Sequence, residues 1–267
     1  MRTLHRVLLF GWACALLAPA GHAQDWAKAR VEQSPRHRET VTIQHDGRSL
    51  QAFVAYPEAS SRRPVVLVIH EIFGLSDWAQ EVTDELAAAG YVAIAPDLLS
   101  GAGPNGGGTA SLGGQTAVGR AINQLPKEQI TADLNAAADW ALKQPASNGK
   151  LYVVGFCWGG GQSFAFATQR QKLAAAFVFY GVPPANDAMA RISAPVFGFY
   201  AGNDQRVSGT VPATIQAMKD LHKKYSSVIY DGAGHGFMRA GEQPDATPAN
   251  AKAREAAWAK ITQVMGR

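Results

Sequence analysis

Cysteine is nearly absent from this chain: of 267 residues, only Cys14 and Cys157 carry a thiol. Cys14 falls in an apolar stretch, residues 7–20, that follows Arg2 and Arg6 and leads to Gly21-His22-Ala23. A basic start, a short apolar run and small residues at the cut predict a secretory signal, residues 1–23, removed after Ala23. Residues 24–267 are then expected to form a single exported domain, periplasmic or secreted. That domain keeps one thiol and has no partner for an internal disulfide, although its compartment is oxidising. An unpaired thiol there is a liability unless it is buried or used.

Other absences narrow the function. There is no Cys/His cluster of zinc type, no Gly-x-x-x-x-Gly-Lys loop and no internal repeat. No metal and no cofactor are expected. No later apolar run approaches the length of a membrane span without charges, so stable membrane insertion is not expected. Charge is nearly balanced, with 25 Lys and Arg against 21 Asp and Glu. Loss of Arg2 and Arg6 with the signal lowers the formal charge from +4 to +2. Such a small excess argues against a nucleic-acid partner and favours a small-molecule one. A monomer is expected.

What remains is an alternation of strand-like and helix-like segments. Residues 41–44 and 50–56 flank His45-Asp46-Gly47-Arg48, a hairpin signal. Residues 64–70 and 91–96 read as buried strands, and 151–156, 175–180, 195–200 and 227–230 as further strands. Ser76 caps a helix striped by Trp78, Val82 and Leu86; Ile130, Leu134, Ala137 and Ala141 stripe another. A further helix is expected over residues 211–224, and Thr247-Pro248 opens a last one. The order predicts an α/β fold, a mostly parallel sheet covered on both faces, with an antiparallel N-terminal edge. Residues 100–119, with eight glycines and no period, read either as a floppy linker or as a mobile cap over a pocket.

The most informative segment is Gly155-Phe156-Cys157-Trp158-Gly159, between the strand at 151–156 and a helix-like run. Strand, Gly-x-nucleophile-x-Gly turn and helix make the nucleophile elbow of α/β-hydrolases, here with cysteine in place of serine. The bland alternative is a small buried cysteine in a glycine-rich turn. A nucleophile of this kind needs a base and a group to orient the base. Asp204, in Gly202-Asn203-Asp204, and His235, in Gly234-His235-Gly236, follow the strands at 195–200 and 227–230, in the order the fold requires. His37, His45, His70 and His222 lack this placement. The loop His70-Glu71-Ile72-Phe73-Gly74 follows the first buried strand, so the main-chain N–H groups of Ile72 and Trp158 are the expected oxyanion donors. Glu71 is out of place there, because its charge opposes a developing oxyanion.

Together the motifs at 155–160, 70–74, Asp204 and Gly234-His235-Gly236-Phe237 resemble the dienelactone hydrolase (carboxymethylenebutenolidase) family over roughly residues 40–265. The resemblance implies an α/β-hydrolase that cleaves an ester or lactone through a cysteinyl acyl-enzyme. It implies that Glu71 holds the thiol at rest and helps to deprotonate it as substrate binds, and that Arg239 binds a substrate carboxylate. A second family arginine, just after Pro96-Asp97-Leu98, has no counterpart in Leu99-Ser100-Gly101-Ala102; Arg120 and Arg206 are the candidates to replace it. The alternatives are a thiol or redox protein that uses Cys157 without hydrolysis, or a ligand-binding pseudo-enzyme.

Overall fold

The computed structural model describes residues 24–266. The predicted export segment, residues 1–23, lies outside them. Eight strands among the described residues form one sheet: β1 (Arg38–His45), β2 (Arg48–Ala55), β3 (Arg63–Ile69), β4 (Val92–Pro96), β5 (Ser147–Phe156), β6 (Leu173–Phe179), β7 (Val196–Ala201) and β8 (Tyr225–Tyr230). Their order is β1-β2-β4-β3-β5-β6-β7-β8. The β1–β2 and β2–β4 pairings are antiparallel and the others parallel, as the sequence predicts. The hairpin between β1 and β2 turns on Asp46 (φ 47°) and Gly47 (φ 73°), the two left-handed residues that a tight type I′ turn requires.

The helices are α1 (Asp25–Gln33), α2 (Asp77–Ala88), α3 (Gln115–Asn123), α4 (Lys127–Leu142), α5 (Trp158–Ala167), α6 (Asn186–Met189), α7 (Gln205–Ser208), α8 (Val211–Asp220), α9 (Phe237–Ala240) and α10 (Pro248–Met265). Alternate residues of a strand face opposite sides of a sheet. In β3, Val65, Leu67 and Ile69 pack with Ile130 and Leu134 of α4, Phe164 of α5 and Met218 of α8. Val66 and Val68 belong to the opposite layer, with Trp78 and Val82 of α2 and Ala257 and Ile261 of α10. Both faces are thus covered, which explains the unbroken apolar run. The Ser76 hydroxyl accepts from the Ala79 N–H at 3.3 Å, and Thr247 does the same for Asn250 at 3.3 Å.

Besides the one-turn helices α6, α7 and α9, two longer helices were not visible in the sequence. The first, α1, has only a weak apolar stripe and is held by charge. Arg30 lies 3.2 Å from Glu81 and 2.7 Å from Glu242, while Arg254 of α10 meets Glu85 and Glu242. Burial, then neighbouring Glu242, pushes Glu81 up to about 8, and burial likewise pushes Glu85 up to about 7. Although the three carboxylates lie within 4.8 Å of one another, two guanidinium groups already bridge them. They anchor α1 rather than form an open ligand set.

The second is α3, inside the glycine-rich segment, which is therefore not a floppy linker. Asp97 at the end of β4 accepts from the Thr109 N–H (2.8 Å), the Thr109 hydroxyl (2.7 Å) and the Leu99 N–H (3.1 Å). The Thr109 oxygen in turn accepts from the Leu75 N–H at 3.1 Å. Glycine at 108 is a matter of close approach: a Cβ there would lie 2.2 Å from Asp97 Oδ2. Beyond this knot, Val118 and Ile122 of α3 cluster with Leu99, Ile72 and Trp158.

Removing the Thr109 hydroxyl should release the segment. Thr109→Val leaves a buried carboxylate oxygen and the Leu75 N–H without this partner, a loss of about 2 kcal/mol. Denaturant unfolding should show that loss, and thermolysin should cut near Leu112 faster. Unchanged stability together with unchanged cleavage would show that the segment is held by something else.

Candidate active site

Cys157 joins β5 to α5 with φ 56° and ψ −116°, a left-handed conformation that costs a non-glycine residue on the order of 1–3 kcal/mol. Its N–H donates to the Phe179 carbonyl at 3.0 Å, and its carbonyl accepts from the Gly160 N–H at 3.0 Å. The flanking glycines are required by contact. A Cβ at Gly155 would lie 1.9 Å from the Gly159 carbonyl oxygen, and one at Gly159 would lie 2.3 Å from the Ile69 and His70 oxygens. Strand and helix cross too closely for any side chain. The thiol is partly exposed at the N-terminus of α5, where the helix dipole favours negative charge.

Asp204 sits after β7 and His235 after β8. Their loops are stitched together: the Gly202 N–H donates to Tyr230 O (2.8 Å), and the Asn203 N–H to Ala233 O (3.0 Å). The buried Asp204 carboxylate accepts from His235 Nδ1 at 2.5 Å, which leaves Nε2 for the thiol. The hydrogen bond with Cys157, and then Asp204, raises His235 to about 9 against the opposing effect of burial. The structure therefore brings together Cys157, His235 and Asp204. His37 and His222 are exposed, and His45 lies 2.8 Å from Asp133, away from this site.

Glu71 is also brought close, but with a partner. Its Oε2 accepts from Arg239 Nε at 2.8 Å, and the guanidinium lies 5.2 Å over the Phe73 ring. The Glu71 side chain is only 4% exposed. Arg239, expected to bind substrate, is thus already engaged by Glu71. Tyr180, the residue after β6, was not singled out in the sequence. It is fully buried, lines the cavity beside Cys157 and meets the His235 ring edge-on at 5.0 Å. Burial, then the charges of Glu71 and Cys157, pushes its hydroxyl well above its usual value, so it stays protonated. The only sequence signal was its position at the carboxyl end of a strand.

His70 is wholly buried, and burial lowers its pKa, so the ring is neutral. Its Nδ1 lies 2.8 Å from the Glu71 carbonyl, which fixes Nδ1 as the protonated nitrogen, and the ring stacks on Trp158 at 5.7 Å. The loop bearing Ile72 is held in this way against the start of α5. Neither the Ile72 nor the Trp158 main-chain N–H donates a hydrogen bond to another described residue. Both residues line, with Cys157, a cavity of about 740 Å³. Arg206 lines it too; Arg120, Arg239, Glu71 and His235 are not among its lining residues. The volume suits a ligand much larger than a simple lactone ring.

A profile of the dienelactone hydrolase family matches residues 50–267. A Salmonella typhi protein described as "Putative carboxymethylenebutenolidase" is 32% identical over 225 residues, 79% of this chain and 82% of the relative. A protein of the same description from Saccharolobus solfataricus is 30% identical over 254 residues, 83% of this chain and 95% of its own length. Among solved structures, a "Putative Dienelactone Hydrolase" from Klebsiella pneumoniae superposes with TM-score 0.76 at 25% identity, over 88% of this chain and 100% of that one.

The Glu71–Arg239 pair makes a stability prediction. Removing one partner of a buried pair leaves an uncompensated charge and costs about 3–5 kcal/mol. Arg239→Ala should therefore destabilise the protein strongly, and in a Glu71→Gln background the same change should cost far less. Equal costs in both backgrounds would show that the two side chains are not coupled.

Proposed function

The chain belongs to the dienelactone hydrolase family, and on that premise we propose that it is an exported hydrolase of carboxylic esters or lactones that works through a cysteinyl acyl-enzyme. The observation that carries this reading is the placement of Cys157, held at φ 56° on the edge of the cavity and near enough to raise the pKa of a histidine that Asp204 orients.

The sulfur attacks the carbonyl carbon while the thiol proton rests on His235. The carbonyl oxygen gains the charge, and in this reading the N–H groups of Ile72 and Trp158, which have no other partner among the described residues, receive it. Collapse of the tetrahedral adduct breaks the C–O bond, and His235 gives its proton to the departing alkoxide. Water, deprotonated by His235, then attacks the thioester, and the thiol and acid are released. Asp204 holds the imidazole in the tautomer that presents Nε2 to the sulfur. In this reading Glu71 holds the thiol at rest and helps to deprotonate it as substrate binds, which moderates the oxidation that an exported thiol faces.

Because Cys157 is the one cysteine beyond residue 14, an activated ester should add a single acyl mass to the protein starting at Gln24, and none to Cys157→Ala. Full activity in Cys157→Ala would remove the nucleophile from this scheme. Glu71→Gln should slow turnover yet speed alkylation by iodoacetamide at neutral pH; slower alkylation with slower turnover would end the assignment of Glu71.

The raised His235 predicts the pH profile. The imidazolium is the proton donor, so kcat/KM for a neutral ester should hold through neutral pH and fall as His235 deprotonates at about 9. A rise through pH 8–9 instead would show that a different ionisation limits the reaction.

A further inference from the structure

The cavity beside Cys157 is charged with one sign only. Lys127 at the start of α4, Arg191 just after α6 and Arg206 in α7 all line it, and among the described residues no carboxylate does. All three residues are exposed, and none makes an ion pair or side-chain hydrogen bond with another described residue. The nearest acids in sequence are Glu128, Asp187 and Asp204, and none of them is part of the lining; Asp204 is engaged by His235. Asp187 accepts instead from the Ala188 N–H at 2.9 Å. The N-termini of α4 and α5 also open on the cavity and add positive potential there.

Apolar side chains, among them Ile130, Leu134, Phe166, Val182 and Pro184, share the lining with these cations and the thiol. Val182 is 45% exposed, unusually wet for a large apolar side chain, and it stands where a ligand's apolar limb would cover it. Arg239, the cation near the thiol, is bound to Glu71 and lies outside the lining. Ser193, two residues past Arg191, donates to Gln171 beyond the end of α5 at 3.1 Å, so Arg191 lies toward the end of the cavity away from Cys157, which starts α5.

We infer that the substrate is an elongated ester with an anionic group on a limb remote from the scissile carbonyl. This inference rests on Cys157 being the nucleophile. The carbonyl meets Cys157, the apolar middle of the ligand covers the wall, and the anion meets Lys127, Arg191 and Arg206. Charges arranged in this way raise the encounter rate and select the anionic partner, and salt weakens the effect.

The test compares p-nitrophenyl esters of matched length ending in a methyl or a carboxylate: butanoate with succinate, hexanoate with adipate, octanoate with suberate. The carboxylate should raise kcat/KM about tenfold for the longest pair, summing modest contributions from exposed cations, and less for the shortest pair. Arg191→Ala/Arg206→Ala should bring the suberate-to-octanoate ratio to about one, as should high salt. Each ratio is read within one preparation, so partial loss of folded protein cancels. A parallel series ending in sulfonate tells a requirement for negative charge, which predicts the same advantage, from a fit to carboxylate shape, which would overturn the rim as a general anion site. No carboxylate advantage, an advantage confined to succinate, or a ratio unmoved in the double variant would overturn the inference. Failure to turn over any ester, neutral ones included, would instead overturn the assignment of Cys157.

Discussion

The crossing of β5 and α5 at Cys157 sets the geometry on which the rest of the site depends. The chain can reverse there only if one residue accepts a left-handed backbone and its neighbours have no side chains. That strain is offset by the sheet, through the Cys157 N–H bond to Phe179, and by the contact of Gly159 with the carbonyls ending β3. The sulfur therefore stands at the margin of the core, partly exposed, at a helix N-terminus. The other residues of the site follow strands as well: Glu71 and Ile72 after β3, Tyr180 after β6, Asp204 after β7 and His235 after β8. A parallel sheet brings all these strand ends to one edge, so residues far apart in sequence meet at a single place.

Within that edge, buried charge is balanced locally. Asp204 is matched to His235, and Glu71 to Arg239, each within hydrogen-bonding distance. Little of this charge projects into the cavity. The field met by an incoming ligand comes from the rim, where Lys127, Arg191 and Arg206 have no counter-charge. Charge is thus divided, with a compensated network at the sheet edge and uncompensated cations lining the cavity.

The position where the family motif leads to expect a second arginine shows a related division. Asp97 spends its carboxylate on Thr109 and Leu99, and the chain that follows folds into a knot and the helix α3 instead of presenting a cation. Through Val118 and Ile122 that helix contacts Ile72 and Trp158, which line the cavity with Cys157. The glycine-rich segment thus supports the site from outside.

The sequence by itself determined the strand and helix alternation, the antiparallel edge and the order of Cys157, Asp204 and His235, because each rests on local signals: apolar runs, caps, turn residues and glycine spacing. It did not reveal α1, whose stability comes from Arg30 meeting Glu81 and Glu242, residues 51 and 212 positions away. Nor did it reveal α3, where glycines masked a contact between Asp97 and Thr109. Arg239 read as a free cation until the fold set it against Glu71, 168 residues earlier. Tyr180 and the cationic rim were hidden for the same reason. Which charges are paired and which face a cavity depends on distances across the sheet edge, and only the tertiary structure sets those.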